Sequence, residues 1–199
     1  MKVIDISQEV FSCRVYPGDP APQRQVLCSM EKGDLYNLSA LSMCAHNGTH
    51  IDAPAHFIRD GKTVEQLSPD TFAGLCYVAR GEGDIGEREA EEILRKAGGA
   101  QRILIAGNIT VTKAAAEVFA KAKIKLLGNE SQTVGPENAP MEVHLILLGA
   151  NVCLLEGVVL QGVEEGKYIL CAVPLNLGAS EGAPCRAILM KNECTEAEK

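Results

Sequence analysis

Four consecutive apolar residues, Ile103-Leu104-Ile105-Ala106, stand between two helical patterns, and this restricts the fold more than any other stretch of the chain. Upstream, Asp84 followed by Glu87 has N-cap and capping-box form. It opens a helix with Ala90, Ile93, Leu94 and Ala97 at core spacing, which stops at Gly98-Gly99. Downstream, Thr112 can cap a helix whose inner face carries Ala115, Val118, Phe119 and Ala122, and a strand follows at residues 124–127. A third helix is expected to start at Pro140, since proline suits a first turn, and to end before Gly149, ahead of a strand at 152–155. Further strands are read at 3–6, 36–43, 75–79, 168–173 and 185–190. Strand-helix-strand alternation in the middle with strand-rich ends gives the α/β class, one compact domain over residues 1–199 built on a mixed sheet. The strand order is not readable from this pattern.

Composition enters as exclusion. The chain has 199 residues, 46% hydrophobic, with 19 basic against 26 acidic residues and a formal charge of −7. That is globular composition, and a net negative chain without basic clusters is a poor ligand for nucleic acid or an anionic membrane surface. The longest apolar stretch, residues 145–163, is interrupted by Asn151, Glu156 and Gln161, so no membrane span is expected. Charge arrives too early after Met1 for a signal peptide. None of the eight cysteines (13, 28, 44, 76, 153, 171, 185, 194) forms a C-x-x-C pair. Reduced thiols in a cytoplasmic protein are expected. The acidic tail, residues 193–199, is expected to fray.

The chain has four histidines, and three fall within His46-Asn47-Gly48-Thr49-His50-Ile51-Asp52-Ala53-Pro54-Ala55-His56. As an extended chain, this segment would point His46, Gly48, His50 and Asp52 to one face, with glycine leaving room for an ion. Pro54 would end the strand and leave His56 beside the group. Two imidazoles and a carboxylate suit a divalent transition metal such as zinc or manganese. The alternative is a polar strand whose histidines hydrogen-bond locally. The fourth histidine, His144, lies on the third helical pattern, and Glu156 ends an apolar strand where an unpaired carboxylate is costly to bury. A metal ion would satisfy both.

The segment 46–56 resembles the H-x-G-T-H-x-D-x-P-x-H signature of the cyclase family of metal-dependent hydrolases, which includes bacterial kynurenine formamidase and isatin hydrolase. The resemblance extends to Ile4-Asp5-Ile6-Ser7, Tyr16-Pro17-Gly18-Asp19-Pro20 and Gly182-Ala183-Pro184-Cys185-Arg186. It implies a β/β/α-type core, a homodimer or larger homo-oligomer, and His46, His50, Asp52, His144 and Glu156 as ligands of one or two divalent ions. His144 and Glu156 have the twelve-residue separation that the family shows. His56 is implied as the proton-transfer residue. The expected activity is arylformamidase, converting N-formylkynurenine to kynurenine and formate with metal-activated water. The alternatives are hydrolysis of another small or cyclic amide, as in isatin, and a non-catalytic metal- or ligand-binding protein. Two segments depart from the family pattern, Gly107-Asn108-Ile109-Thr110 and Gly128-Asn129-Glu130-Ser131, and both are candidate substrate-pocket positions.

Overall fold

The structure, a computed structural model, describes residues 1–191. Its strands are β1 (Lys2–Asp5), β2 (Gln23–Cys28), β3 (Leu38–Ser42), β4 (His50–Asp52), β5 (Ala73–Arg80), β6 (Gly83–Ile85), β7 (Arg102–Ala106), β8 (Ile109–Val111), β9 (Leu126–Asn129), β10 (Cys153–Glu156), β11 (Gly166–Cys171), β12 (Gly182–Pro184) and β13 (Ile188–Lys191). Three helices, α1 (Glu87–Ala97), α2 (Lys113–Lys121) and α3 (Met141–Gly149), connect the parallel strands. Nine strands form one mixed sheet in the order β1-β13-β11-β5-β7-β9-β10-β4-β12. Within it β5, β7, β9 and β10 run parallel to one another, and the remaining pairings are antiparallel.

The apolar run that opened the reading is β7, buried along its whole length. Ile103 and Ile105 face the helices, while Leu104 and Ala106 face a second core with Ile51, Leu155, Leu170 and Leu189. A strand covered on both faces has no polar side to alternate with, which is why it reads as continuous. The second core is lined by one face of the same sheet, which curls over it and leaves the helices outside. No helix among the described residues is long and apolar enough to cross a membrane.

Local readings hold where one capping or packing signal dominates. The Thr112 hydroxyl accepts a hydrogen bond from Ala115 N at 3.3 Å, and Gly98 ends α1 in the left-handed region at φ 55°. The α1 start differs from the Asp84–Glu87 pattern. Asp84 belongs to β6, and Glu89 instead accepts from the Gly86 N–H at 3.1 Å. Ala116 of α2 is buried, and Ala122, expected on its inner face, lies exposed just past the helix end. The strand read at 185–190 starts only at Ile188, as β13, and a separate short strand, β12, precedes it at Gly182–Pro184. Short strands β6 and β8, three residues each, carry too little pattern to be seen in sequence. The seven described cysteines are unbridged, as expected. Cys194 and the 193–199 tail lie outside the described residues.

The β2–β3 ribbon is separate from the large sheet. Val26, Leu27, Met30, Leu35, Tyr36 and Leu41 are all exposed on or next to it. A bulge between Val26 and Cys28 shifts its register. Next to it lies a groove of about 530 Å³ lined by Phe11, Leu41, Met43, Leu175 and Pro184.

Candidate metal centre

The site is written into the pairing of β4 with β10. His50 lies opposite Glu156, and Asp52 opposite Leu154, in antiparallel register. Directly opposed residues share a face, as do residues two apart on one strand. His50, Asp52 and Glu156 therefore converge on the helix-facing side, where Leu154 packs, while Ile51 points into the other core. Pro140 at the N-cap of α3 sets the helix so that His144 meets them in its first turn. All four side chains are at most 3% exposed.

His46 arrives differently from the reading of 46–52 as one extended strand. It lies in a turn before β4, and Gly48 adopts φ 66° to reverse the chain. A β-carbon on Gly48 would meet Cys13 at 3.5 Å, an ordinary contact, and the positive φ is what this turn asks of the residue. The turn still brings His46 Nδ1 to 2.8 Å from Asp52 Oδ1. His56 ends a short helical turn at Pro54–His56, with its ring 4.1 Å from that of His46 and 6.2 Å from that of His144. Phe57 stacks at 4.8 Å on His144.

Two imidazoles are oriented by main-chain carbonyls. His50 Nδ1 is 3.0 Å from Gly48 O, and His144 Nδ1 is 2.9 Å from Pro140 O. Each therefore donates Nδ1–H and turns Nε2 inward. His50 Nε2 lies 3.5 Å from Asp52 Oδ1 and 3.6 Å from Glu156 Oε2. His144 Nε2 lies 3.6 Å from Asp52 Oδ2 and 3.3 Å from Glu156 Oε1. Unprotonated nitrogens against carboxylate oxygens at such distances repel unless a proton or a cation sits between them. Ligand atoms about 2.1 Å from a tetrahedral ion lie about 3.4 Å apart, so the spacing fits a divalent metal. Asp52 Oδ2 is buried without a hydrogen bond, an orphaned acceptor that such an ion would satisfy. Two overlapping donor sets, His46/His50/Asp52 and Asp52/His144/Glu156, share the Asp52 carboxylate.

The same geometry sets the proton affinities. Burial opposes charge on His50, but Glu156 and Asp52 override it and raise its pKa to about 8. For His144 the same contest, with Asp52 and Glu156 both in contact, ends at about 10. Burial also opposes charge on Asp52, yet contact with His144 and His46 holds it well below the usual carboxylate range. His56 goes the other way, lowered mainly by burial.

A pH dependence follows for the metal-free protein. Raised imidazole pKa values contribute stability that is complete below about 6.5 and lost as pH climbs through about 8 and then about 10. Melting curves of chelator-treated protein should show a midpoint falling from pH 7 to pH 10, with added zinc cancelling the fall. A flat midpoint over that interval would remove the proton from between these groups.

Asp19 of the Tyr16–Pro20 turn accepts from Cys44 Sγ at 3.8 Å, near His46. The two departing segments share a cavity of about 760 Å³, lined by Gly107, Asn108, Thr110, Glu130 and Ser131 among others, but by none of the four histidines. Glu130 ties this edge together, accepting from Gly107 N and Leu160 N at 2.8 Å each. Sequence reasoning passed over Glu181, whose Oε1 is 3.5 Å from His46 Nε2. It directly precedes Gly182-Ala183-Pro184, a segment that carries part of the family resemblance.

The sequence profile of the Cyclase family matches residues 4–136. The chain belongs to the cyclase family. This cyclase-family chain is 34% identical over 205 residues to the kynurenine formamidase of Bacillus anthracis, covering 94% of this chain and 97% of that one. It is 30% identical over 202 residues to the kynurenine formamidase of Erythrobacter litoralis, covering 94% and 93%. Among solved structures it resembles a potential metal-dependent hydrolase with cyclase activity, at TM-score 0.82 and 26% identity over 96% of this chain and 98% of that one. An isatin hydrolase bound to thioisatinate superposes with TM-score 0.84 over 96% and 93%, at 17% identity, a likeness of fold.

Proposed function

We propose that this chain is a cytoplasmic, metal-dependent arylformamidase that hydrolyses N-formylkynurenine to kynurenine and formate. The observation that carries the reading is the buried cage of His50, Asp52, His144 and Glu156, with His46 and His56 at its edge, in a chain that aligns with formamidases almost end to end. His46, His50, Asp52, His144 and Glu156 are assigned as ligands of one or two zinc or manganese ions. Such an ion lowers the pKa of water to about 7 and polarises a carbonyl oxygen. His56, uncharged near neutrality because burial depresses its pKa, takes the proton released as water adds to the formyl carbon. It returns that proton to the aniline nitrogen as the C–N bond breaks.

Metal analysis of the purified protein, followed by a formate-release assay on N-formylkynurenine with zinc or manganese, tests this. Turnover that requires the ion supports it. A metal-loaded protein inert on every formyl-aniline would refute it. A second reading, hydrolysis of an isatin-like cyclic amide, draws on the cavity formed by the two departing segments, and an isatin arm in the same assay decides between them.

A homodimer or larger assembly belongs to the same proposal. A two-stranded ribbon is at best marginally stable alone, and β2–β3 exposes its apolar side chains beside an apolar groove on the same chain. Arm and groove on one protomer are what a two-fold exchange needs. The doubly substituted Val26→Asp, Leu41→Asp protein should elute as a monomer in light-scattering chromatography. A monomeric wild-type protein at micromolar concentration would end this part of the reading.

A further inference from the structure

We propose that Glu181 is a positioning residue for His46, holding its Nε2–H so that Nδ1 is presented to the metal centre. The inference rests on the reading that His46, His50 and Asp52 hold a cation. Each of the three imidazoles has one nitrogen toward the centre and one away from it. For His50 and His144 the outer nitrogen is Nδ1, taken by the main-chain carbonyls of Gly48 and Pro140. For His46 the ring is reversed: Nδ1 is the inner atom, 2.8 Å from Asp52 Oδ1, and Nε2 points outward. That Nε2 is buried and has no hydrogen-bond partner, and Glu181 Oε1 is 3.5 Å from it. Imidazole ligands are usually fixed by a hydrogen bond from their second nitrogen to a carboxylate or carbonyl, which sets tautomer and ring angle and raises basicity.

The neighbouring backbone is shaped for the same ring. Gly182 pairs with Asp52 across β12 and β4, and a β-carbon there would lie 2.6 Å from His46 Cε1. The imidazole thus rests on a bare α-carbon with the Glu181 carboxylate at its outer edge. The main-chain oxygen of Glu181 accepts from Ala53 N at 2.9 Å, which holds this residue against β4 whatever its side chain. The Glu181 side chain is 46% exposed, so its removal leaves no hole in the core. It can close the small remaining distance to Nε2 by rotation.

The test is zinc affinity, measured by competition with a chromophoric chelator on the full chain. Glu181→Ala should weaken zinc binding by about 10- to 100-fold, with the melting temperature of the metal-free protein unchanged. Glu181→Gln, whose amide oxygen still accepts from Nε2–H, should recover most of the loss. His46→Ala is the control for the underlying reading. If it leaves zinc affinity intact, His46 holds no ion and both statements fall. If it weakens binding while Glu181→Ala does not, only the role of Glu181 is overturned. A Gln variant as weak as the Ala variant would place the carboxylate on the ion itself and also overturn the positioning role.

Discussion

Replacing His56 with Asn is expected to lower kcat on N-formylkynurenine by about 10²- to 10⁴-fold, the usual contribution of a general acid–base group, without loss of metal. The separation of the two effects comes from where His56 sits. It belongs to neither donor set around Asp52, yet its ring touches that of His46 and lies edge-on to Phe57 at 4.6 Å. Burial is the largest influence on its pKa and lowers it, and the neighbouring imidazoles His46 and His144 push the same way against Asp52. The wild-type rate should therefore rise with pH through a limb below about 6.5, and that limb should be missing from the residual activity of the variant. Metal content by elemental analysis should match the wild type. A His56→Asn protein that has lost its metal would make His56 a ligand, and one with full activity would remove it from the mechanism.

The second large effect is expected at Asp52. Its two oxygens lie within 2.8–3.6 Å of His46, His50 and His144, and it is common to both donor sets. Asp52→Ala should abolish stoichiometric zinc binding and activity together. It should also destabilise the metal-free protein by about 3–5 kcal/mol near pH 6, because buried imidazolium ions lose their main counter-charge. The cost should shrink toward pH 9, since uncompensated imidazoles can shed their protons. Parallel denaturant titrations at the two pH values check this. An equal loss at both would show that Asp52 acts through packing rather than charge.

The legible part of the molecule was the part governed by short-range rules. Thr112 and Gly98 punctuate their helices as capping chemistry requires, and β7 announced a buried strand by having no polar side. His50 and Asp52 were correctly read as sharing a face because a strand alternates. His46 was brought to the same place by a turn that alternation does not describe, so its residue type was informative and its assumed path was not. Glu156 could be suspected from its cost of burial, but its position opposite His50 is a matter of strand register between residues more than a hundred apart. The β2–β3 ribbon was half missed for a related reason. Gln23-Arg24-Gln25 at the start of β2 has no buried face in its own chain, so nothing imposed the pattern by which strands are recognised.

The carbonyl acceptors of His50 and His144 have an evolutionary consequence. An orientation fixed by Gly48 O and Pro140 O is encoded in the course of the main chain, and no side-chain replacement at the acceptor can delete it. Descendant sequences can therefore exchange the residues around the cavity at 107–110 and 128–131 while the inner imidazoles keep their aim. His46 differs: the group 3.5 Å from its outer nitrogen is the side chain of Glu181, which a single substitution can exchange.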